Sequence, residues 1–210
     1  MSSKRIALGI DQGIANCGFA VVREGGGEED YEVLISGTIK TLAKDGIPKR
    51  VKKIYDIITG LITEYNVELI GCEKLFFNPK QAGGRNKSAS ILYTNMATGL
   101  LNLCAGELEK PIFEYVPGTI KKQITGSGRA TKEEVEEALY DLISTLIKFK
   151  TEHESDAVGI AITALRDPKT KQKLEELALG IVVAKPKKKK KETKTTKTRK
   201  KKGEIDNVKE

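Results

Sequence analysis

No run of about eighteen or more apolar residues occurs in the 210-residue sequence, so it holds no candidate membrane-spanning helix. The opening stretch MSSKRIALGIDQG has a short apolar run. It lacks the longer apolar region and the cleavage site of a secretory signal, so no export is expected. Cysteine is scarce: Cys17, Cys72 and Cys104 each sit among apolar neighbours, and none belongs to a C-x-x-C pair. An odd number without a pattern argues against a disulfide framework and predicts reduced, buried thiols in a cytosolic protein. No internal repeat is present. Hydrophobic residues, at 39%, fall somewhat below the usual share, and charged residues, at 31%, somewhat above it.

Both skews come from the C-terminus. From Lys185 to Glu210 there are thirteen Lys or Arg and four Asp or Glu, a net of +9. The whole chain carries +8, which leaves −1 for residues 1–184. The pI of about 9.2 therefore describes the tail rather than the body of the protein. Beyond Lys185 almost nothing apolar remains to bury, so a folded domain over 1–183 and a disordered Lys-rich tail over 184–210 are expected.

Three strand-like segments come first: Arg5–Asp11, Cys17–Arg23 and Tyr31–Ile39, the last two separated by the hairpin-like turn GGGEED. Over 48–66, Val51, Ile54, Ile58, Leu61, Ile62 and Tyr65 recur at helical spacing with Lys and Arg opposite. ELIGCE, 68–73, reads as a short buried strand. It is followed by a polar, Gly-containing loop and by a long, rather apolar helix over 89–107. PIFEYV, 111–116, is the last strand, and a short helix and a glycine turn follow it. Thr131 with Glu134 three residues on forms a capping box, opening a helix that carries Val135, Ala138, Leu139, Leu142 and Leu146 inward. A helix from about His153 to Arg166, stopped near Pro168, and one more short helix complete the body. The main elements run β-β-β-α-β-α-β-α-α. That order predicts an α/β protein with one mixed sheet and helices on both faces.

Asp11 closes the first strand, and Glu73 closes the strand after the first long helix. A right-handed crossover would set these strands side by side and parallel, bringing the two acids together at the edge where α/β sheets gather their sites. His153 and Asp156, three apart, share one face of a helix start that can reach the same edge. Crowded carboxylates repel one another, and oxygen donors favour Mg²⁺ or Mn²⁺, the ions of phosphate chemistry. Taken singly, Asp11 serves equally as a turn residue, Asp156 as a helix N-terminal charge and His153 as a surface residue. The weight lies in all four falling at one predicted edge.

Together, LGIDQGIANCGFAVV, LIGCEKLFF, VPGTIKKQITGSGRATKEEV and HESDAVGIAITAL, in order and over roughly 5–167, resemble the RuvC family of Holliday junction resolvases. The resemblance implies an RNase H-like fold with a five-stranded sheet. It implies a nuclease that resolves four-way DNA junctions by paired symmetric nicks in recombination and repair. Asp11, Glu73, His153 and Asp156 would be its catalytic metal ligands, holding two Mg²⁺ ions, with Mn²⁺ able to substitute. Phe76 falls where the family stacks an aromatic on opened bases, and Lys121 and Lys132 match basic residues near the scissile phosphate. Gly126, Gly128 and Ala130 match the turn before Lys132. A homodimer through helix 88–106, branch-migration proteins as further partners and a cytoplasmic, nucleoid-associated location also follow, with an organellar or phage origin left open.

The sequence departs from the family at Gln12, where Pro is usual, at Gly118, where many members carry Arg, and at Glu133 and Glu134, which replace more neutral residues. Phe76 and Phe77 compete for a core role, and Phe77 is the better core candidate. Lys80, Arg85 and Lys87, beside Gly83 and Gly84, could track phosphates or be ordinary loop charge. The tail reads as an electrostatic DNA arm, with a nuclear or nucleolar address and a solubility tail as alternatives. An actin-like or sugar-kinase reading of the opening D-x-G needs two such domains, for which the chain is too short. A phage-type branched-DNA nuclease and a non-catalytic junction-binding protein stay open as alternatives.

Overall fold

The computed structural model describes residues 4–27, 30–74 and 85–179, with side chains at all of these except 85–91 and 178. Strands β1 (Ile6–Asp11), β2 (Asn16–Glu24) and β3 (Tyr31–Lys40) form an antiparallel meander. β4 (Leu69–Glu73) lies parallel to β1, and β5 (Ile112–Tyr115) lies parallel to β4. The sheet order is β3-β2-β1-β4-β5, so the expected mixed sheet and the expected β1–β4 neighbourhood are both observed. Helices α1 (Gly46–Glu64) and α2 (Arg85–Glu107) belong to one face. α3 (Pro117–Thr125), α4 (Lys132–Leu142) and α5 (Glu152–Arg166) belong to the other, and α6 (Pro168–Ala178) follows α5. No helix among the described residues is long and apolar enough to cross a membrane.

The two-residue period of each strand feeds two cores. Leu8, Ile10, Ile70 and Cys72 point into the α1–α2 core, against Ile54, Ile58, Ile62, Leu101 and Cys104. Ala7 and Leu69 point to the other side, against Ala157, Val158, Ala161, Ala164 and Leu165 of α5 and Leu139 of α4. Each large aliphatic side chain buried in this way contributes about 1.5–3 kcal/mol. The three cysteines are buried and unpaired with one another. Burial pushes the Cys17 and Cys72 thiols up to about 12 and that of Cys104 to about 11, which leaves them protonated and inert at neutral pH.

The α5 helix lies directly on the strands because they present glycine to it. A Cβ on Gly9 would stand 2.0 Å from the Ala157 carbonyl oxygen, and one on Gly18 would stand 1.9 Å from that of His153. Side-chain hydrogen bonds then fix the start of α5 over β3. Thr151 caps the helix and meets Thr38 at 2.7 Å, while buried Glu154 accepts from Ser36 Oγ at 2.7 Å and from the Lys150 amide at 2.8 Å.

Local chemistry accounts for most of the boundaries. The Thr131–Glu134 capping box forms as expected, and Gly126 ends α3 in the left-handed conformation at φ 79°. Two differences are tertiary or local in origin. Helix α4 stops at Leu142, and Leu146, expected to face inward, is fully exposed. The edge of β3 takes the next residues instead: Ile143 bridges to Tyr31, the Ser144 amide donates to the Tyr31 carbonyl, and the Val33 amide donates to Thr145 Oγ1. Helix α2 starts at Arg85 rather than Ala89, since Arg85 to Ser88 contains neither Gly nor Pro to stop it. The proposed domain boundary at 183/184 and the Lys-rich tail lie outside the described residues.

Substituting Gly9→Ala should lower unfolding free energy by about 3 kcal/mol or more, because backbone rather than a flexible side chain opposes the added methyl. Gly60→Ala, on the exposed side of α1 with open space around it, should instead stabilise by up to about 1 kcal/mol. Urea unfolding of the two variants beside the parent chain measures both.

Candidate active site

Asp11 and Glu73 each lie one residue past Ile10 and Cys72, the last rung joining β1 to β4. Alternation along the strands puts Asp11 on the side of Ala7 and Gly9, and Glu73 on the side of Leu69 and Gly71. Both acids therefore face α5 rather than the α1–α2 core. Gly18, paired with Asp11 across β1–β2, floors the place where the first turn of α5 crosses the strand ends. That turn carries His153, whose Nδ1 lies 2.6 Å from Asp11 Oδ2. Asp156 follows one turn on.

The electrostatics of these groups are shared. Burial, followed by the negative charges of Asp11 and Asp156, raises the Glu73 carboxyl above the usual range. Burial and then Asp11 raise Asp156, while Lys132 and His153 pull it the other way. Three acids thus feel one another at a single rim. At ion-binding distances the picture is looser: among the described residues, no group of three or more His, Cys, Asp or Glu is drawn closely enough together to hold a metal ion. Asp11 instead spends one oxygen on His153.

The donor set still fits a hard divalent cation. It offers carboxylate oxygens, partly withdrawn from water, with negative charge that Lys132 and His153 only partly offset. With Nδ1 turned to Asp11, Nε2 is the imidazole nitrogen left for a further partner, an arrangement in which a carboxylate orients a ligating histidine.

The basic residues are engaged. Lys132 Nζ forms an ion pair with Glu152 Oε2, both side chains being largely exposed, so water screens the pair and it contributes little. Lys121 Nζ bonds the carbonyl of Ala130 and ties α3 to the glycine turn that leads to Lys132. Gly118 packs against that turn, since a Cβ on Gly128 would stand 3.1 Å from its carbonyl oxygen. Phe76 and Lys80 lie outside the described residues, as does Phe77. Arg85 and Lys87 fall in the first turn of α2, where side chains are not described.

Sequence patterns did not reveal two polar residues at this rim. Gln12, noted only as a departure from Pro, is buried and bonds both backbone groups of Glu73. Glu152 stands beside His153 and takes up Lys132. An acid next to a predicted ligand was the signal available for Glu152. For Gln12 there was none, because its partner is sixty-one residues away.

A family model described as Crossover junction endodeoxyribonuclease RuvC matches residues 7–164. The RuvC endonuclease of Alkaliphilus metalliredigens is 34% identical over 157 residues, covering 75% of this chain and 90% of its own. That of Histophilus somni is 37% identical over 160 residues, covering 75% and 78%. Among solved structures, Thermus thermophilus RuvC in complex with a Holliday junction substrate matches with a TM-score of 0.67 at 25% identity, covering 77% of this chain and 93% of that one. The yeast mitochondrial Holliday junction resolvase, at 15% identity, TM-score 0.56 and coverage of 85% and 84%, shares the fold.

Because Glu73 and Asp156 are raised, the metal-free protein holds their protons to higher pH than the unfolded chain does. Their contribution to stability is present below the ordinary carboxylate range, about 4, and is lost as pH rises through the raised values. Glu73→Gln or Asp156→Asn should therefore raise the Tm of the metal-free protein at neutral pH and flatten this dependence. Asp11→Asn should give no such gain, since Asp11 carries the His153 bond. Thermal melts in EDTA between pH 4 and 8 measure these outcomes.

Proposed function

The chain belongs to the RuvC family of crossover junction endodeoxyribonucleases, and from that premise we propose that it resolves four-way DNA junctions by nicking two opposed strands at the Asp11–Glu73–His153–Asp156 rim. The observation that carries this reading is the placing of three mutually repelling acids and one imidazole where two parallel strand ends meet the start of α5. Nucleases of this family are metal-dependent. The finer assignment is two Mg²⁺ ions, with Mn²⁺ able to substitute, held by Asp11, Glu73 and Asp156 together with His153. When bound, such ions supply Lewis acidity toward the phosphodiester and lower the pKa of an attacking water.

The chain's own residues do the rest. The carboxylates fix where positive charge accumulates. The Asp11 carboxylate orients the His153 ring and holds a proton on, or accepts one from, Nδ1. Lys132 offers a cation beside Asp156, and a DNA phosphate reaching it must displace Glu152. Because that pair is exposed and weak, the displacement costs little. Lys121, which also braces the turn through the Ala130 carbonyl, is assigned with Lys132 to the scissile phosphate.

A paired cut calls for two copies of the site. Helix α2 exposes Leu92, Tyr93, Met96 and Leu103, an apolar surface that supports a two-fold homodimer through 88–106. Phe76, with Lys80, Arg85 and Lys87, is assigned to the opened junction, where base–aromatic stacking contributes roughly 1–3 kcal/mol per base. The Lys-rich segment 184–210 is assigned to non-specific phosphate contact. Branch-migration proteins remain further partners on the resemblance alone.

With Mg²⁺, the protein should nick a synthetic four-way junction symmetrically while leaving linear duplex and single strands intact. Equal cutting of all three, or none, counts against the reading. Asp11→Asn or Glu73→Gln should lower the single-turnover rate by at least about a hundredfold, the scale of losing a group that acts only in the transition state, while junction binding in a gel-shift assay persists. Binding without cutting in the parent chain would favour a non-catalytic junction-binding protein. Deleting 185–210 should weaken binding most at low salt and reduce the slope of log affinity against log salt, leaving the cutting rate of bound junction unchanged.

A further inference from the structure

The side chain of Gln12 is nearly enclosed, with 7% of the residue exposed, and both ends of its amide bond the neighbouring strand end. Its Nε2 donates to the Glu73 carbonyl oxygen at 2.5 Å, and its Oε1 accepts from the Glu73 amide at 3.1 Å. One carboxamide thus satisfies both backbone groups of a single residue, which also fixes which end of the amide is oxygen. The backbone ladder between β1 and β4 ends at Ile10–Cys72. Past it, the side chain of Gln12 supplies the rung that the main chain does not.

Glu73 needs such a rung. It is the terminal residue of β4, one residue past the last backbone pairing with β1. On its other side β4 is held by β5, through the pairing of Glu73 with Tyr115 and the Lys74 amide on the Tyr115 carbonyl. On the β1 side Gln12 is the clasp. Nε2 also stands 3.5 Å from Thr98 Oγ1 of α2, the outer limit for a hydrogen bond, so the amide is approached from the helix as well. The carboxylate of Glu73 leaves this clamped backbone toward negative charge from Asp11 and Asp156, which tends to drive it away.

We propose that Gln12 is a positioning residue: its carboxamide, bonded to the amide and carbonyl of Glu73, holds that backbone so that the Glu73 carboxylate stays at the rim shared with Asp11 and Asp156. The proposal rests on the nuclease reading of that rim. It assigns the role to a buried residue whose amide is bonded to the Glu73 backbone.

Two variants test it. Gln12→Met keeps the volume and removes both hydrogen bonds; Gln12→Asn keeps the amide but is one methylene too short to span the same gap. Both should weaken Mn²⁺ binding to the DNA-free protein, read by calorimetry, by about 10- to 100-fold, the scale on which groups that orient a metal ligand act. Both should slow single-turnover junction cutting by a similar factor and leave junction affinity without added metal within about twofold. A role in folding alone would lower Tm without moving ion affinity at a temperature where the variant is folded. Parent-like Mn²⁺ binding and cutting in both variants overturns the proposal. So does unfolding of both at the assay temperature, which would make the amide a requirement of the fold. Asp11→Asn, run alongside, separates the two levels. If it binds Mn²⁺ and cuts like the parent chain, the rim is not the active site. If it loses both while the Gln12 variants keep both, the positioning role alone fails.

Discussion

The seat of α5 on bare strand backbone is the constraint from which the candidate site follows. Gly9 and Gly18 leave no room for even one carbon beneath the Ala157 and His153 carbonyls. At these two points the helix backbone lies directly against strand backbone. His153 meets Asp11 only because of that closeness, and Asp156 rides on the same turn. The hydrogen bonds from Ser36 and Thr38 of β3 to Glu154 and Thr151 stop the helix start from sliding along the strands. Close packing and a set of polar clamps thus set one helix end to within a hydrogen bond of a strand end more than 140 residues away in the chain.

The site so assembled is electrostatically costly. Acids partly withdrawn from water face one another, and burial together with mutual repulsion raises Glu73 and Asp156. The fold tolerates this because the rest of the rim is over-determined. Strand pairing holds Asp11 and Glu73 from below, the Gln12 amide clasps Glu73 from the side, and the α5 cap fixes the acids above. Exposed Lys132 and Glu152 meanwhile neutralise each other at the edge, keeping a cation near the rim in a form that an anionic partner can claim.

Much of this architecture was legible residue by residue. The continuous apolar runs of IALGI and LIGC marked β1 and β4, because both feed two cores and can carry almost nothing polar until the strand ends. Asp11 and Glu73 stood out for that reason. The Thr131–Glu134 box and the inward row from Ile54 to Ile62 were equally local signals, and each appears where it was expected. The row that carried α4 on to Leu146 misled. Helical spacing persists there, but the free edge of β3 offers Ile143 to Thr145 backbone and side-chain partners that a helix could not supply. The contacts of Gln12 and Glu152 were not legible because they are defined by partners, not by neighbours in sequence. The bond from Lys121, matched to a basic residue near the scissile phosphate, to the Ala130 carbonyl likewise had no local signal.

By itself the sequence determined the element types, the two-sided sheet, the short set of candidate acids and the separation of a near-neutral body from a basic tail. These depend on period, propensity and composition, which are properties of short stretches. The tertiary structure alone decided how near the acids come, which nitrogen of His153 faces Asp11, which carbonyl Lys121 meets and which amide bonds the Glu73 backbone. Those depend on distances of a few ångströms between segments far apart in the chain, where steric fit at a glycine or one hydrogen bond settles the outcome.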